Sequence, residues 1–219
     1  MIYLLWPTAR PAQFKTTHKY WYDKANTPNA IKTLVAVDTE AEKELLCDYD
    51  VIVVKKDCPG VAYVSYALSS KVIAENSDII ILASDDFFPP DKWDIWVTEQ
   101  LREFDGCLLV NDGYQQGGCV TIPIMSYNCL QKLNKIIYHP SYRHQYSDAE
   151  LWLNLNEMGL LRNLRGQQYP TFEHKHWANG KRELDEVDQR SNSAGWYDST
   201  NYNNRCRMLL SERLKVCQG

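Results

Sequence analysis

Residues 77–94 read SDIIILASDDFFPPDKWD. Ile79 to Leu82 form a short apolar run that ends in Ala83, Ser84, Asp85 and Asp86. A run of this length, closed by polar residues, predicts a strand buried on both faces of a sheet. Adjacent carboxylates raise each other's pKa unless a cation sits beside them. Ligands of open α/β sheets bind at the carboxyl ends of the strands. Asp85 and Asp86 are therefore expected to hold a hard divalent cation that carries a phosphate-bearing ligand. Phe87-Phe88-Pro89-Pro90 should stop the strand and stiffen the turn. The alternative is a helix from Lys92 capped by Asp91, which leaves the acidic pair without a role.

Working upstream, Ile2 to Trp6 reads as the first strand, with Pro7-Thr8-Ala9-Arg10-Pro11 as the loop at its carboxyl end. A helix is expected over Phe14 to Lys24, a strand over Ile31 to Val37 and a helix over Glu40 to Leu46. Asp38 closes the second strand. There it can accept hydrogen bonds from a ribose or a base N–H, or cap the helix that follows. Asp50 to Val54 reads as a third strand, Lys55 and Lys56 follow it, and Asp57-Cys58-Pro59-Gly60 reads as a turn. Val64, Leu68 and Val72 set a helical period over Val61 to Asn76.

Downstream, Trp93, Trp96, Val97 and Leu101 predict a helix over Lys92 to Glu103. Strands are expected at Leu108 to Val110 and Val120 to Ser126, with a polar loop at Asn111 to Gly118 between them, and a helix at Cys129 to Ile137. Alternating strands and helices imply an α/β fold with a largely parallel sheet and right-handed crossovers. Ser147 with Glu150 three residues on reads as a capping box opening a helix that Gly159 ends. Asp148 in its first turn complements the helix dipole or serves as a base facing a cleft. His174 and His176 lie two apart in an extended stretch, so they share a face. They form a metal-binding pair, a metal and phosphate pair, or two surface histidines. Residues 178–204 are polar and read as a loop or lid, and Tyr202 to Val216 as a basic helix.

The 219 residues suit one α/β domain with a C-terminal extension. Residues 1–159 carry 14 basic and 21 acidic groups, and residues 160–219 carry 10 and 7, so an anionic partner is sought at the C-terminal end. The seven cysteines, at 47, 58, 107, 119, 129, 206 and 217, are odd in number and form no CxxC pair. That usage fits free thiols in a reducing cytoplasm and excludes a structural zinc site. No apolar run approaches the roughly 20 residues of a membrane helix. The protein is expected to be soluble and cytoplasmic. No glycine-rich phosphate cradle is present.

The order of PTARP, Asp38, LASDDFFPP, SDAELW and HKHW resembles small GT-A-fold glycosyltransferases, of the short nucleotide-sugar-dependent kind found in phages and bacteria. The resemblance covers roughly residues 1–185. It implies a GT-A, Rossmann-like α/β domain over 1–177, with a C-terminal loop or lid and a helix over 178–219 packed on it. The family's acidic metal motif falls on Ser84-Asp85-Asp86. Asp86 would ligate the metal, and Asp85, with Ser84 beside it, would assist or bind the ribose. Pro7, Thr8, Ala9, Arg10 and Asp38 match the positions that hold the nucleobase. Asp148 matches the general base of inverting members, and His174 or His176 the late metal ligand. The implied cofactors are Mn2+ or Mg2+ and a nucleotide-sugar donor, UDP-sugar first. The implied acceptor is a hydroxyl on a glycan or on a hydroxymethylated pyrimidine of phage DNA. Arg182, Arg190, Arg205, Arg207, Arg213 and Lys215 would then meet DNA phosphates, or simply form a solvated basic face. The rival readings are a sugar-nucleotide nucleotidyltransferase and a non-catalytic sugar- or nucleotide-binding module.

Overall fold

A computed structural model describes residues 1–54, 60–114 and 117–216. The expected Lys55-Lys56 pair, most of the turn before Gly60, part of the loop at 111–118 and two cysteines, Cys58 and Cys217, lie outside the described residues. The elements run β1 (Ile2–Pro7), α1 (Pro11–Lys24), β2 (Ile31–Val37), α2 (Glu40–Glu44), β3 (Asp50–Val53), α3 (Val61–Lys71) and β4 (Ile79–Leu82). They continue with β5 (Phe87–Phe88), α4 (Trp93–Arg102), β6 (Cys107–Val110), β7 (Ile124–Ser126), α5 (Tyr127–Lys132) and α6 (Ser147–Glu157). The chain closes with β8 (Leu161–Leu164), β9 (Glu173–His174), α7 (Glu186–Ser193), α8 (Gly195–Arg205) and α9 (Leu210–Arg213).

Among the described residues, seven strands form one sheet in the order β3-β2-β1-β4-β7-β6-β8. β3, β2, β1 and β4 run parallel, as do β6 and β8, while β7 lies antiparallel between β4 and β6. All four residues of β4 are buried. Ile80 and Leu82 join the core on one face, with Val64 and Leu68 of α3 and Leu151 and Leu155 of α6. Ile79 and Ile81 join the other, with Phe14 and Trp21 of α1 and Trp93 and Val97 of α4. The continuous apolar run at 79–82 has this cause: period-2 alternation sends successive side chains into two separate cores. The five described cysteines are free, and Cys107 and Cys129 are buried. No helix among the described residues is long and apolar enough to cross a membrane.

Several local expectations change. Phe87-Phe88 do not merely end a strand; they form β5, paired antiparallel with β9. Asp91 caps nothing: Lys92, with φ 57°, precedes α4 without a side-chain cap, and Asp91 pairs with Lys24 instead. α2 is capped by Thr39 in a full capping box with Glu42, which leaves Asp38 free of that task. β8 was not foreseen, because Leu161–Leu164 is short and half polar. The polar stretch 178–204 is no loop; it holds α7 and most of α8. The basic helix expected over 202–216 is broken, since α8 ends at Arg205 and only Leu210–Arg213 resumes.

Candidate active site

The parallel register brings three loops to one edge. Leu5 pairs with Leu82 and Pro7 with Ala36, so the chain beyond β1, β2 and β4 emerges side by side. Thr8 N–H donates to Ala36 O at 2.9 Å, extending that alignment one residue further. Pro7, Thr8, Ala9, Arg10, Asp38, Ser84, Asp85 and Asp86 thereby line one cavity of about 780 Å3. Its position, outside the carboxyl ends of parallel strands, is where α/β folds bind ligands.

The two aspartates divide their tasks. The Asp85 carboxylate is buried and accepts from Trp6 Nε1 at 2.8 Å and from Thr8 Oγ1 at 2.8 Å. Burial pushes it up to about 7, against the pull of the Thr8 and Trp6 hydrogen bonds. Thr8 Oγ1 also accepts from Arg10 N–H at 2.9 Å. Asp85 thus braces the loop after β1, with each of its carboxylate oxygens already bound to the protein. Asp86 differs. Its Oδ1 accepts from Ser84 Oγ at 2.6 Å, and its Oδ2 lies 3.4 Å from His174 Nε2 and 3.8 Å from Arg182 NH2. Burial alone would raise its pKa, but His174, Ser84 and Arg182 outweigh that and hold it well below the carboxylate range. Ser84 spends its hydroxyl orienting Asp86.

The histidines arrive through β5 and β9. Phe87 pairs with His174, and Lys175 N–H donates to Asp86 O at 2.8 Å. The His174 ring stacks on Phe87 with centroids 4.1 Å apart. One ligand atom from each of Asp86, His174 and His176 falls within 4.8 Å of the other two. His174 Nδ1 is buried with no hydrogen-bond partner, a cost the fold carries without an internal return. Two imidazoles and a carboxylate, one of them with an unspent nitrogen, suit a divalent transition metal. His176 Nδ1 accepts from Ala178 N–H at 3.2 Å, which fixes its ring.

Asp148 lines the same cavity, as do Tyr114, Cys119, Thr121 and Tyr138. The sequence placed Ser147 as N-cap with Glu150 in a capping box. Instead Tyr146, at φ 64°, takes the N-cap position, and Ser147 Oγ donates to His144 O at 3.0 Å. Glu150 turns inward, accepting from Tyr142 Oη at 2.6 Å and from Arg205. A tyrosine in the left-handed region is unusual, and such strain concentrates at working sites. The Asp148 pKa is raised by burial, despite the Ala149 N–H that its Oδ1 accepts at 2.9 Å. A helix start favours the charged carboxylate, but removal from water wins.

Asp198 is a contributor to the site that residue order did not single out. It is fully buried in α8 and accepts from the N–H groups of Arg143, His144 and Gln145 at 2.9, 2.8 and 2.8 Å. These three residues lead directly into Tyr146 and Asp148. Gly60 meets the same turn, since a Cβ there would sit 1.7 Å from Arg143 O. The one signal available was an aspartate in the first turn of a helical stretch, and that feature is too common to single out.

The basic C-terminal residues are largely consumed inside the molecule. Arg205 and Arg213 are buried against Glu150, Asn154 and Glu157 of α6. Arg182 pairs with Asp188 and approaches Asp86. Arg190 NH2 lies 3.7 Å from Asp38 Oδ2. Burial raises the Asp38 pKa, partly offset by Arg190.

No protein-family model and no curated protein matches the sequence. Solved structures do match the fold. S. aureus TarS 1–349 in complex with UDP aligns with a TM-score of 0.60 and 11% identity over 97% of this chain and 76% of that one. The same protein in complex with UDP-GlcNAc aligns with a TM-score of 0.58 and 12% identity over 97% and 77%. The mannosyltransferase PcManGT from Pyrobaculum calidifontis, in complex with GDP-Man and Mn2+, aligns with a TM-score of 0.57 and 10% identity over 90% and 69%. With a mostly parallel seven-stranded sheet flanked by helices, among the described residues, and a match to these neighbours over 90–97% of its own length, the chain has the GT-A glycosyltransferase fold.

Proposed function

We propose that the protein is a metal-dependent glycosyltransferase that moves a sugar from a nucleotide-diphosphate donor to a hydroxyl acceptor with inversion. The observation that carries this reading is the convergence of Asp86, His174 and His176 in the same cavity as Asp148. Neighbours of the same fold were solved with UDP, with UDP-GlcNAc, and with GDP-Man and Mn2+, which supports a nucleotide-sugar donor. Residues 1–177 form the transferase domain, and the C-terminal helices pack on it.

A divalent cation, Mn2+ or Mg2+, held by Asp86, His174 and His176, would neutralise charge developing on the departing diphosphate. The loop Pro7 to Arg10, braced by Asp85, and the carboxylate of Asp38 beside Arg190 face the nucleoside. Asp148, half-buried and raised in pKa, takes the proton of the acceptor hydroxyl as that oxygen attacks the anomeric carbon from the opposite side. A single displacement inverts the configuration.

A glycan hydroxyl is the favoured acceptor over a base in DNA. Arg182, Arg205 and Arg213 are tied to internal carboxylates or carbonyls, so half of the six basic residues are withdrawn from a phosphate-binding face. The test is a donor screen. With Mn2+ present, uridine and guanosine sugar nucleotides are incubated with the protein, and release of the diphosphate is measured. Release that needs the metal and disappears in Asp148→Asn supports the reading; no release from any donor removes it. Retention on duplex DNA at low ionic strength would restore the nucleic-acid acceptor.

A further inference from the structure

Arg10 and Arg182 both line the cavity, and one aspartate joins them. Asp188 is buried, with its side chain 7% exposed. Its Oδ1 accepts from Arg10 NH2 at 3.1 Å and from Arg182 NH2 at 2.7 Å. Its Oδ2 accepts from Arg182 NH1. Arg182 NH2 also lies 3.8 Å from Asp86 Oδ2, so this guanidinium bridges Asp188 and the candidate metal ligand. One of its N–H groups, Nε, is buried and has no partner. Arg10 in turn grips Asp185 with Nε at 2.7 Å and NH2 at 2.8 Å.

We propose that Asp188 occupies the place of the donor's diphosphate between the guanidinium groups of Arg10 and Arg182, and that donor binding displaces it and frees α7 from the cleft. The proposal rests on the donor reading above. Guanidinium forks match phosphate oxygens as well as they match carboxylates. With a divalent cation at Asp86, Arg182 would face a like charge across a few ångströms, and a single carboxylate could not balance both. A diphosphate, with more charge and more oxygens, satisfies Arg10, Arg182 and the idle Nε together. α7 and the residues before it contact the cleft at three places: Arg182 at Asp86, Asp185 and Asp188 at Arg10, and Arg190 at Asp38. These contacts run from the metal end to the nucleoside end, so the same helix must loosen before a donor lies along that path. Binding therefore costs the closed population its internal pairs, and apparent affinity falls in proportion to the competent fraction.

The test is Asp188→Asn, which keeps one oxygen for the α7 capping box with Asp185, removes the charge and turns the other oxygen into a donor that an arginine cannot pair with. Affinity for inorganic pyrophosphate and for UDP is measured by calorimetry with saturating Mn2+, beside uridine as the control without phosphate. The expected result is pyrophosphate and UDP binding tighter by about fivefold or more, with uridine unchanged. Unchanged or weaker binding by a folded Asp188→Asn protein overturns the proposal. Hydrogen exchange on the wild-type chain supplies a readout that needs no variant: with Mn2+ and pyrophosphate, the amides of 186–193 should exchange faster, and equal or slower exchange overturns it too. A wild-type protein that binds neither pyrophosphate nor UDP removes the donor reading along with this one. Wild-type binding without a gain in the variant removes the Asp188 assignment alone.

Discussion

Arg205 and Glu150 meet through two hydrogen bonds, Nε to Oε2 at 2.7 Å and NH2 to Oε1 at 2.8 Å, with side chains 7% and 3% exposed. Glu150 stands in the first turn of α6, two residues after Asp148, and Arg205 ends α8. The pair ties the C-terminal helices to the helix that carries the candidate base. Losing one partner leaves a buried charge uncompensated, so Arg205→Ala should lower the unfolding free energy by about 3–5 kcal/mol. Urea denaturation checks this; a loss near the roughly 0–1 kcal/mol typical of surface pairs would mean the bridge is solvated.

Asp198 acts on the same region from another side, through the backbone of Arg143, His144 and Gln145. Asp198→Asn keeps the shape but swaps one charged acceptor oxygen for a donor. The turn before Tyr146 should loosen, with a stability loss of roughly 2–4 kcal/mol. Turnover should fall while donor affinity holds. A variant that loses donor affinity and turnover equally would show Asp198 to be a scaffold residue only.

For Asp148, the expected effect of Asp148→Asn is a fall in kcat of about 10²–10⁴-fold with UDP binding retained. The raised pKa gives a second readout. A base must be ionised, so activity should be lost as pH falls through the folded-state pKa. That acid limb should lie above the ordinary aspartate value of about 3.9. A limb at or below that value would separate the base from Asp148.

Mn2+ binding, followed by electron paramagnetic resonance without any donor, should weaken in Asp86→Ala, His174→Ala and His176→Ala alike. His176→Ala is the most informative of the three, since Asp86 is buried and His174 stacks on the core residue Phe87. An affinity reduced by about tenfold or more is the expected outcome. Undiminished Mn2+ binding in that variant would leave the metal on Asp86 and His174.

His18 supplies a stability prediction away from the cleft. Its ring is packed among Trp6, Phe14, Tyr22 and Tyr49, with Nε2 3.0 Å from Thr33 Oγ1. Burial lowers its pKa from 6.5 to about 4. The unfolded chain therefore takes up the proton first, and stability present above about pH 6.5 is lost as pH falls towards about 4. Thermal unfolding in that window should show the loss, and His18→Phe should flatten it. Equal pH slopes for the two proteins would place the titration elsewhere.

Much of this architecture could be read from residue order alone. The run at 79–82, the alternation of strands and helices, and the acidic close of β4 are local patterns. Side-chain period reports which faces of an element are buried, so these elements followed from the sequence, as did the gathering of Pro7–Arg10, Asp38 and Ser84–Asp86 at one edge of the sheet. What periodicity does not carry is partnership across the chain. Only the fold decided that Asp85 meets Trp6 and Thr8 while Asp86 meets His174, since those partners lie more than seventy residues away along the chain. Only folding brought Asp188 to Arg10 and Asp198 to the turn at 143–145, more than fifty residues apart in each case. A mixed-charge segment such as 181–190 resembles a solvated loop until its partners are in place. Asp188 is buried there through its pairing with Arg10 and Arg182, and pairing is a property of tertiary contact rather than of composition.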